Sequence, residues 1–148
     1  MFPPVEIFVG GQPKGQPRAR AFAFRGNVRM YDPATAEGWK SAIADEWRRS
    51  APKMPKIETP VSLALHFLLP RPKAHFTKKG LRLTAPVWFA KKPDADNFAK
   101  AVMDCLTQLG VWQDDALVVV LLTSKRYTQG RPGCRIVLSD AAVEEVPR

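Results

Sequence analysis

The chain has 148 residues, 45% hydrophobic and 25% charged, which fits one globular domain with its own core and excludes wholesale disorder. Twenty-three Lys and Arg against 14 Asp and Glu give a net charge of +9, an excess that attracts polyanions, nucleic acid foremost. No apolar run reaches the roughly 18 to 20 residues of a membrane span, and Cys105 and Cys134 form neither a disulfide framework nor metal-ligand spacing, so both are expected reduced and buried in a cytosolic protein.

The opening "MFPPVEIFVGG" is apolar without a basic leader, so no signal peptide is expected; Val5 to Val9 reads as a first strand stopped by Gly10-Gly11. "GQPKGQPRARAFAFRGNVRMYDP" follows, with Lys14, Arg18, Arg20, Arg25 and Arg29 among Pro, Gly and aromatics. Its first part predicts a rigid extended loop, and "RARAFAFRGNVRMY" an irregular hairpin turning at Gly26-Asn27. Phe22, Phe24 and Tyr31 are expected in the core; the clustered cations are candidates for phosphate contacts.

Thr35 to about Ser50 predicts a helix, because Trp39, Ile43 and Trp47 recur at four-residue spacing on one buried face. "VSLALHFLL", Val61 to Leu69, predicts a buried strand, with His66 a satisfied core histidine rather than a ligand. "PRPKAHFTKKGLRLTAPVWFAKKP" is then a loop with seven cations and four prolines, too long for a passive connection. A helix from about Asp94 to Leu109 follows, closed by Gly110 as C-cap. The strand "LVVVLLTSKRY" leads through "TQGRPG" into the strand "CRIVLS", and the tail "DAAVEEVPR" is expected to fray. The order β, irregular hairpin, α, β, long basic loop, α, β, β predicts one α+β domain over residues 1–148, a mixed sheet with two main helices.

The chemistry-bearing stretch is "KKPDADNFAK", where a basic chain concentrates acid. On the predicted helix Phe98, Val102, Cys105, Leu106 and Leu109 make one apolar stripe, while Asp96, Lys100 and Asp104 form a row on roughly the opposite side. A purely structural account is available: Asp94 as N-cap, Asp96 in the first turn, and an Asp96–Lys100 pair, each worth about 1 kcal/mol or less. "VWQDDALVVV" shifts the balance. Asp114 and Asp115 open an apolar strand that does not favour paired acids, and a strand packing back along the helix could carry Asp115 towards its start. A divalent cation held by hard oxygen ligands accounts for them, with the metal and Lys100 stabilising a charged transition state.

"KPDADNFAKAVMDCLTQLGVWQDDALVV" resembles the core of the RusA family of Holliday-junction resolvases, whose pattern is D-x-D-N-x-x-K, a D-x-L segment and a paired D-D. Asp94, Asp96, Asn97, Lys100, Asp104, Leu106, Asp114 and Asp115 occupy the matching positions, and "GQPKGQPRAR…MYDP" is similar to the basic, proline-containing N-terminal segment of phage and prophage members. Two positions depart from the pattern: Leu117 stands where the family often has glutamine, and Gln16 replaces a common arginine. The resemblance implies a small homodimeric Mg²⁺-dependent endonuclease, with Mn²⁺ as an alternative ion, that nicks two opposed strands of a four-way junction. It implies Asp94, Asp96 and Asp115 as metal-binding catalytic carboxylates and Lys100 as the catalytic lysine, with Asn97, Asp104 and Asp114 in support. Lys14, Arg18, Arg20, Arg71, Lys73 and Lys92 are the expected DNA-binding cations. A cytoplasmic, nucleoid-associated and phage-encoded origin fits the same pattern, with no membrane partner. The rival expectations are a nuclease for forks or flaps and a catalytically silent DNA-binding regulator.

Overall fold

Strict alternation builds the central strand. In β4 (Val61–Pro70) Val61, Leu63, Leu65, Phe67 and Leu69 are buried, and Ser62, Ala64, His66 and Leu68 between them are half-buried. A computed structural model describes residues 2–17, 20–24, 27–31 and 36–141, with backbone alone between 18 and 35. β4 lies inside a four-stranded sheet with β1 (Val5–Gly10), β7 (Val118–Thr128) and β8 (Gly133–Asp140), in the order β1-β8-β4-β7. β4 and β7 run parallel, and β8 is antiparallel to both β1 and β4. The sheet is therefore mixed and the domain α+β, as the element order predicts.

Both helices pack on one face of this sheet. Helix α1 (Glu37–Ser50) buries Trp39, Ile43 and Trp47, the predicted stripe. Helix α2 (Ala95–Gln108) buries Phe98, Val102, Cys105 and Leu106, while Leu109 is half-buried behind them. Phe98 stacks on Phe67 of β4, with ring centroids 4.9 Å apart, so α2 begins over the C-terminal end of β4 and runs back antiparallel to it. Gly110, at φ 74°, takes the left-handed turn that ends α2, and its N–H donates to Thr107 O.

Among the described residues the opposite face of the sheet carries no helix; β4 is the buried strand the sequence predicts, with Val61, Leu63, Leu65, Phe67 and Leu69 fully buried on the helix-bearing face and the residues between them half-buried. His66 sits on that open face, its Nδ1 within 2.9 Å of Ser124 Oγ, a satisfied histidine and not a ligand. Cys105 and Cys134 are free and buried, and burial pushes both thiols up. The predicted hairpin is present as β2 (Arg20–Phe24) and β3 (Asn27–Tyr31), paired antiparallel with Arg20 opposite Tyr31. Inside the long basic loop, where the sequence predicts no regular element, the chain makes a second small hairpin, β5 (Phe76–Thr77) with β6 (Gly80–Leu81).

β7 differs most from expectation. Its apolar run is not interior: β7 is the edge of the sheet, and Val119 to Leu122 are exposed.

Candidate active site

Helix α2 presents its polar face beside the start of β7. Asp94 occupies the N-cap position in extended backbone, yet its carboxylate makes no capping hydrogen bond. Asp96 Oδ1 accepts from Asn97 N (2.9 Å), and among the described residues Asp96 and Lys100 form no ion pair. The two contacts that would explain these residues as helix furniture are thus missing. Asp94, Asp96 and Lys100 are all exposed.

Asp104 has a different task. Its carboxylate takes Lys40 Nζ of α1 at 3.1 Å and Gln108 Nε2 at 3.3 Å, joining the two helices. Asp104→Ala is therefore expected to lower stability by about 0.5–1 kcal/mol, the range for a partly exposed pair, and thermal unfolding measures it.

A short 3-10 turn, Asp115–Leu117, leads into β7. Asp114 caps it, its carboxylate accepting from Ala116 N at 2.9 Å. That N–H holds the Asp114 carboxyl below the usual range, aided by a hydrogen bond with Asp115. Asp115 moves the other way. The hydrogen bond with Asp114, partial desolvation and the negative charges of Asp114 and Asp104 raise its pKa, and the Lys100 ammonium opposes them. Asp115 thus senses the charges of Lys100 and Asp104 on the polar face of α2. Among the described residues no three His, Cys, Asp or Glu side chains come together as a group that could hold a metal ion. The structure brings Asp114, Asp115, Lys100 and Asp104 into one electrostatic neighbourhood, with Asp96 one helical turn before Lys100 and Asp94 at the N-cap of the same helix.

Cation-bearing segments are tied to the start of α2 from two sides. Gln16 N donates to Asn97 O (3.2 Å), and a Cβ on Gly15 would overlap Asn97 Nδ2 and press on Pro93, so the N-terminal loop seats on the first turn of α2 through a glycine. Asn97 is the seat for that loop, and Lys14, next to Gly15 in the chain, is exposed. Arg20 lies in β2, and Arg18 lies outside the described residues.

On the other side, Lys125 of β7 donates to Lys91 O (2.8 Å) and Pro93 O (2.9 Å) and lies over the Phe89 ring. Sequence reasoning passed over Lys125. The available signal was a cation in the middle of an apolar strand, opposite the core residue Phe67. Arg71 is occupied by structure: Nη1 donates to Pro86 O (2.7 Å) and contacts His75 Nδ1 (3.2 Å), and the guanidinium lies over Tyr127. Desolvation and the Arg71 and Lys91 charges lower the His75 pKa, consistent with a neutral ring accepting from Arg71. Lys73 and Lys92 are exposed at the two ends of the loop.

The arrangement joins exposed carboxylates, a lysine that is unpaired among the described residues, and flanking cations around one helix. A family model described as Endodeoxyribonuclease RusA matches residues 10–139. The chain is also 33% identical over 128 residues to a Bacillus subtilis (strain 168) protein, Uncharacterized protein YqaN, covering 84% of this chain and 89% of that one. The chain belongs to the RusA family of endodeoxyribonucleases.

Proposed function

We propose that the protein is a divalent-metal-dependent, structure-selective DNA endonuclease that resolves four-way junctions by paired nicks on opposed strands, acting as a homodimer. The observation that carries this reading is the polar face of α2, where Lys100 has no ion pair among the described residues, Asp94 makes no cap bond, and Asp115 stands against accumulated negative charge. Carboxylate oxygens are the donors that Mg²⁺ or Mn²⁺ prefers. Mg²⁺ is bound through one or two carboxylates with waters and substrate phosphates, so a three-carboxylate cage is not required. The charge that raises the Asp115 pKa is charge that a cation would relieve. Asp94, Asp96 and Asp115 are the carboxylates that would hold the ion, directly or through its waters. When bound, such an ion supplies a water of lowered pKa and a Lewis acid for a phosphoryl oxygen.

The chain's own groups do the rest. Lys100 offers an ammonium to the charge that develops on the phosphate. Asp114 fixes the turn that carries Asp115, and Asn97 and Lys125 hold the cationic segments against α2. A four-way junction is two-fold symmetric, so a symmetric dimer puts one site on each of two opposed strands. The test is a synthetic four-way junction incubated with and without Mg²⁺, beside forks and flaps. Paired symmetric nicks that yield ligatable duplexes are expected only with the metal. Cutting confined to forks or flaps would replace junction resolution, and binding without cutting would leave a silent DNA-binding protein.

Neutralising Lys73 and Lys92 together is expected to weaken binding to all branched substrates alike. It should lower the salt slope of log Kd by roughly one to two units. Binding measured across a salt series decides this, and an unchanged slope would make those lysines surface solvation.

A further inference from the structure

The loop between β4 and α2 runs from Arg71 to Pro93 with seven Lys and Arg and no Asp or Glu. Its backbone is fastened along most of that length. Thr77 Oγ1 accepts from Lys79 N (3.1 Å) and pins the turn of the β5–β6 hairpin. Arg82 closes the base of the hairpin, its N donating to His75 O and its Nε to Ala74 O, both at 2.9 Å. A β-turn closed by Ala85 N on Arg82 O (3.1 Å) follows and puts Leu83 at its corner. The foot of the loop is tied to the sheet. Arg71 Nη1 donates to Pro86 O, Tyr127 N donates to Val87 O, and the His75 ring stands edge-on to Tyr127 at 4.8 Å. Phe89 packs on both Tyr127 and Phe98 of α2, and Pro93 O takes Lys125 Nζ one residue before Asp94. The hairpin is thus a fixed protrusion whose foot runs directly into the site helix.

What the protrusion holds out is apolar. Phe76 and Leu81 stand opposite each other across the hairpin, sharing a face, at 37% and 39% exposure, and Leu83 is fully exposed. Single exposed apolar side chains are ordinary. Three on one fastened hairpin and turn, with Lys78, Lys79 and Arg82 exposed between them, make a surface of definite chemistry. Trp88 is exposed as well, but its ring already carries the Arg126 guanidinium at 5.7 Å, which leaves the tip to Phe76, Leu81 and Leu83.

We propose that this hairpin is a wedge that reads the branch point of DNA. Lys78, Lys79 and Arg82 take phosphates beside the branch, and Phe76, Leu81 and Leu83 enter between the bases that border it. This rests on the DNA reading above and names the feature of the substrate that gives selectivity. The occupant follows from charge. An apolar tip among cations, with no acid in the whole loop, matches a partner that offers phosphates outside and apolar base faces inside. Phe and Leu are among the side chains that nucleic-acid-bending proteins insert between base steps. In a linear duplex such insertion breaks a continuous stack. At a branch the stack is already interrupted, so less is lost. Phosphate contacts serve linear and branched DNA alike, whereas the wedge adds affinity only at the branch.

Gel-shift affinity in EDTA, for a synthetic four-way junction and a linear duplex of matched sequence, measures that difference. Both DNAs carry 2-aminopurine, beside the branch point or at the matching duplex position. Leu83→Ser trims a fully exposed side chain, so thermal unfolding should be unchanged. It is expected to weaken junction binding about tenfold, with duplex binding and the salt slope unaltered because no charge is lost. Wild-type protein should raise 2-aminopurine emission in the junction but not in the duplex, and Leu83→Ser should lose most of that rise. Replacing Lys78 and Lys79 together by alanine should instead weaken both DNAs alike and lower the salt slope. Equal weakening of both DNAs by Leu83→Ser, or no emission rise with the wild type, would overturn the wedge. So would a Leu83→Ser protein that binds DNA normally but no longer binds phosphatidylserine vesicles, which would assign the hairpin to a membrane surface. These measurements need no metal and no cutting. A protein that passes them yet cuts nothing with Mg²⁺ keeps its wedge and loses the nuclease reading.

Discussion

Asp96→Asn and Asp115→Asn are each expected to abolish junction cleavage while binding survives, with single-turnover rates falling by about three orders of magnitude or more. Both residues are exposed, and neither carries an ion pair among the described residues, so the substitutions remove charge without opening the core. Among the described residues Asp96 accepts one hydrogen bond, from the neighbouring N–H of Asn97, and an amide oxygen can accept it equally. Asp115→Asn removes a carboxyl whose pKa is raised by the hydrogen bond with Asp114, by slight desolvation and by neighbouring negative charge, and so relieves local repulsion. Stability should hold or rise slightly, and loss of a negative charge near phosphate should leave affinity equal or tighter. Gel-shift affinity, cleavage and thermal unfolding on the same preparations separate the cases. Wild-type cleavage in both variants would reduce the carboxylates to solvation.

The contrast with Asp104 sharpens this. Asp104 lies in the same row of α2 but spends its carboxylate on Lys40 and Gln108, so its replacement should register in stability. Sequence spacing puts Asp96, Lys100 and Asp104 in one line without distinguishing them. The distinction comes from α1, which reaches only the last of the three.

The sequence was most legible where periodicity and burial coincide. Trp39, Ile43 and Trp47, and Phe98, Val102 and Cys105, announce two helices by spacing, and the structure buries all six. It was least legible at β7, because "LVVVLL" reads the same in an interior strand as on an exposed edge. Only the strand order β1-β8-β4-β7 reveals which it is. The site was legible as a set of residues but not as a shape. Asp114 and Asp115 stand out as acids ahead of an apolar strand, whereas their place beside Lys100 and Asp104 depends on how far α2 runs before β7 turns back. Asn97 and Lys125 act through backbone carbonyls and glycine packing, interactions that leave little trace in residue type.

Lys100→Ala gives the cleanest separation between chemistry and scaffolding. Lysine and alanine are both good helix formers, so the substitution barely changes the helix itself. If Lys100 served only as the i, i+4 partner of Asp96, its loss would cost a few tenths of a kcal/mol and nothing in rate. That pair is not formed, and the nearby acid that senses the ammonium is Asp115. A lysine committed to the developing charge on phosphate should instead lower the single-turnover rate on saturating junction by about a hundredfold or more, equivalent to roughly 2.7 kcal/mol. Junction affinity should change little, since one of many cations is lost, and the salt slope should fall by at most about one unit. Lys100→Arg keeps the charge but moves it outward on a planar fork, so partial activity there with none in Lys100→Ala would fix the role as charge at a defined point. An unchanged rate in Lys100→Ala would move the catalytic charge to another cation, with Lys14, exposed in the loop whose Gly15 and Gln16 seat on the first turn of α2, the next to test.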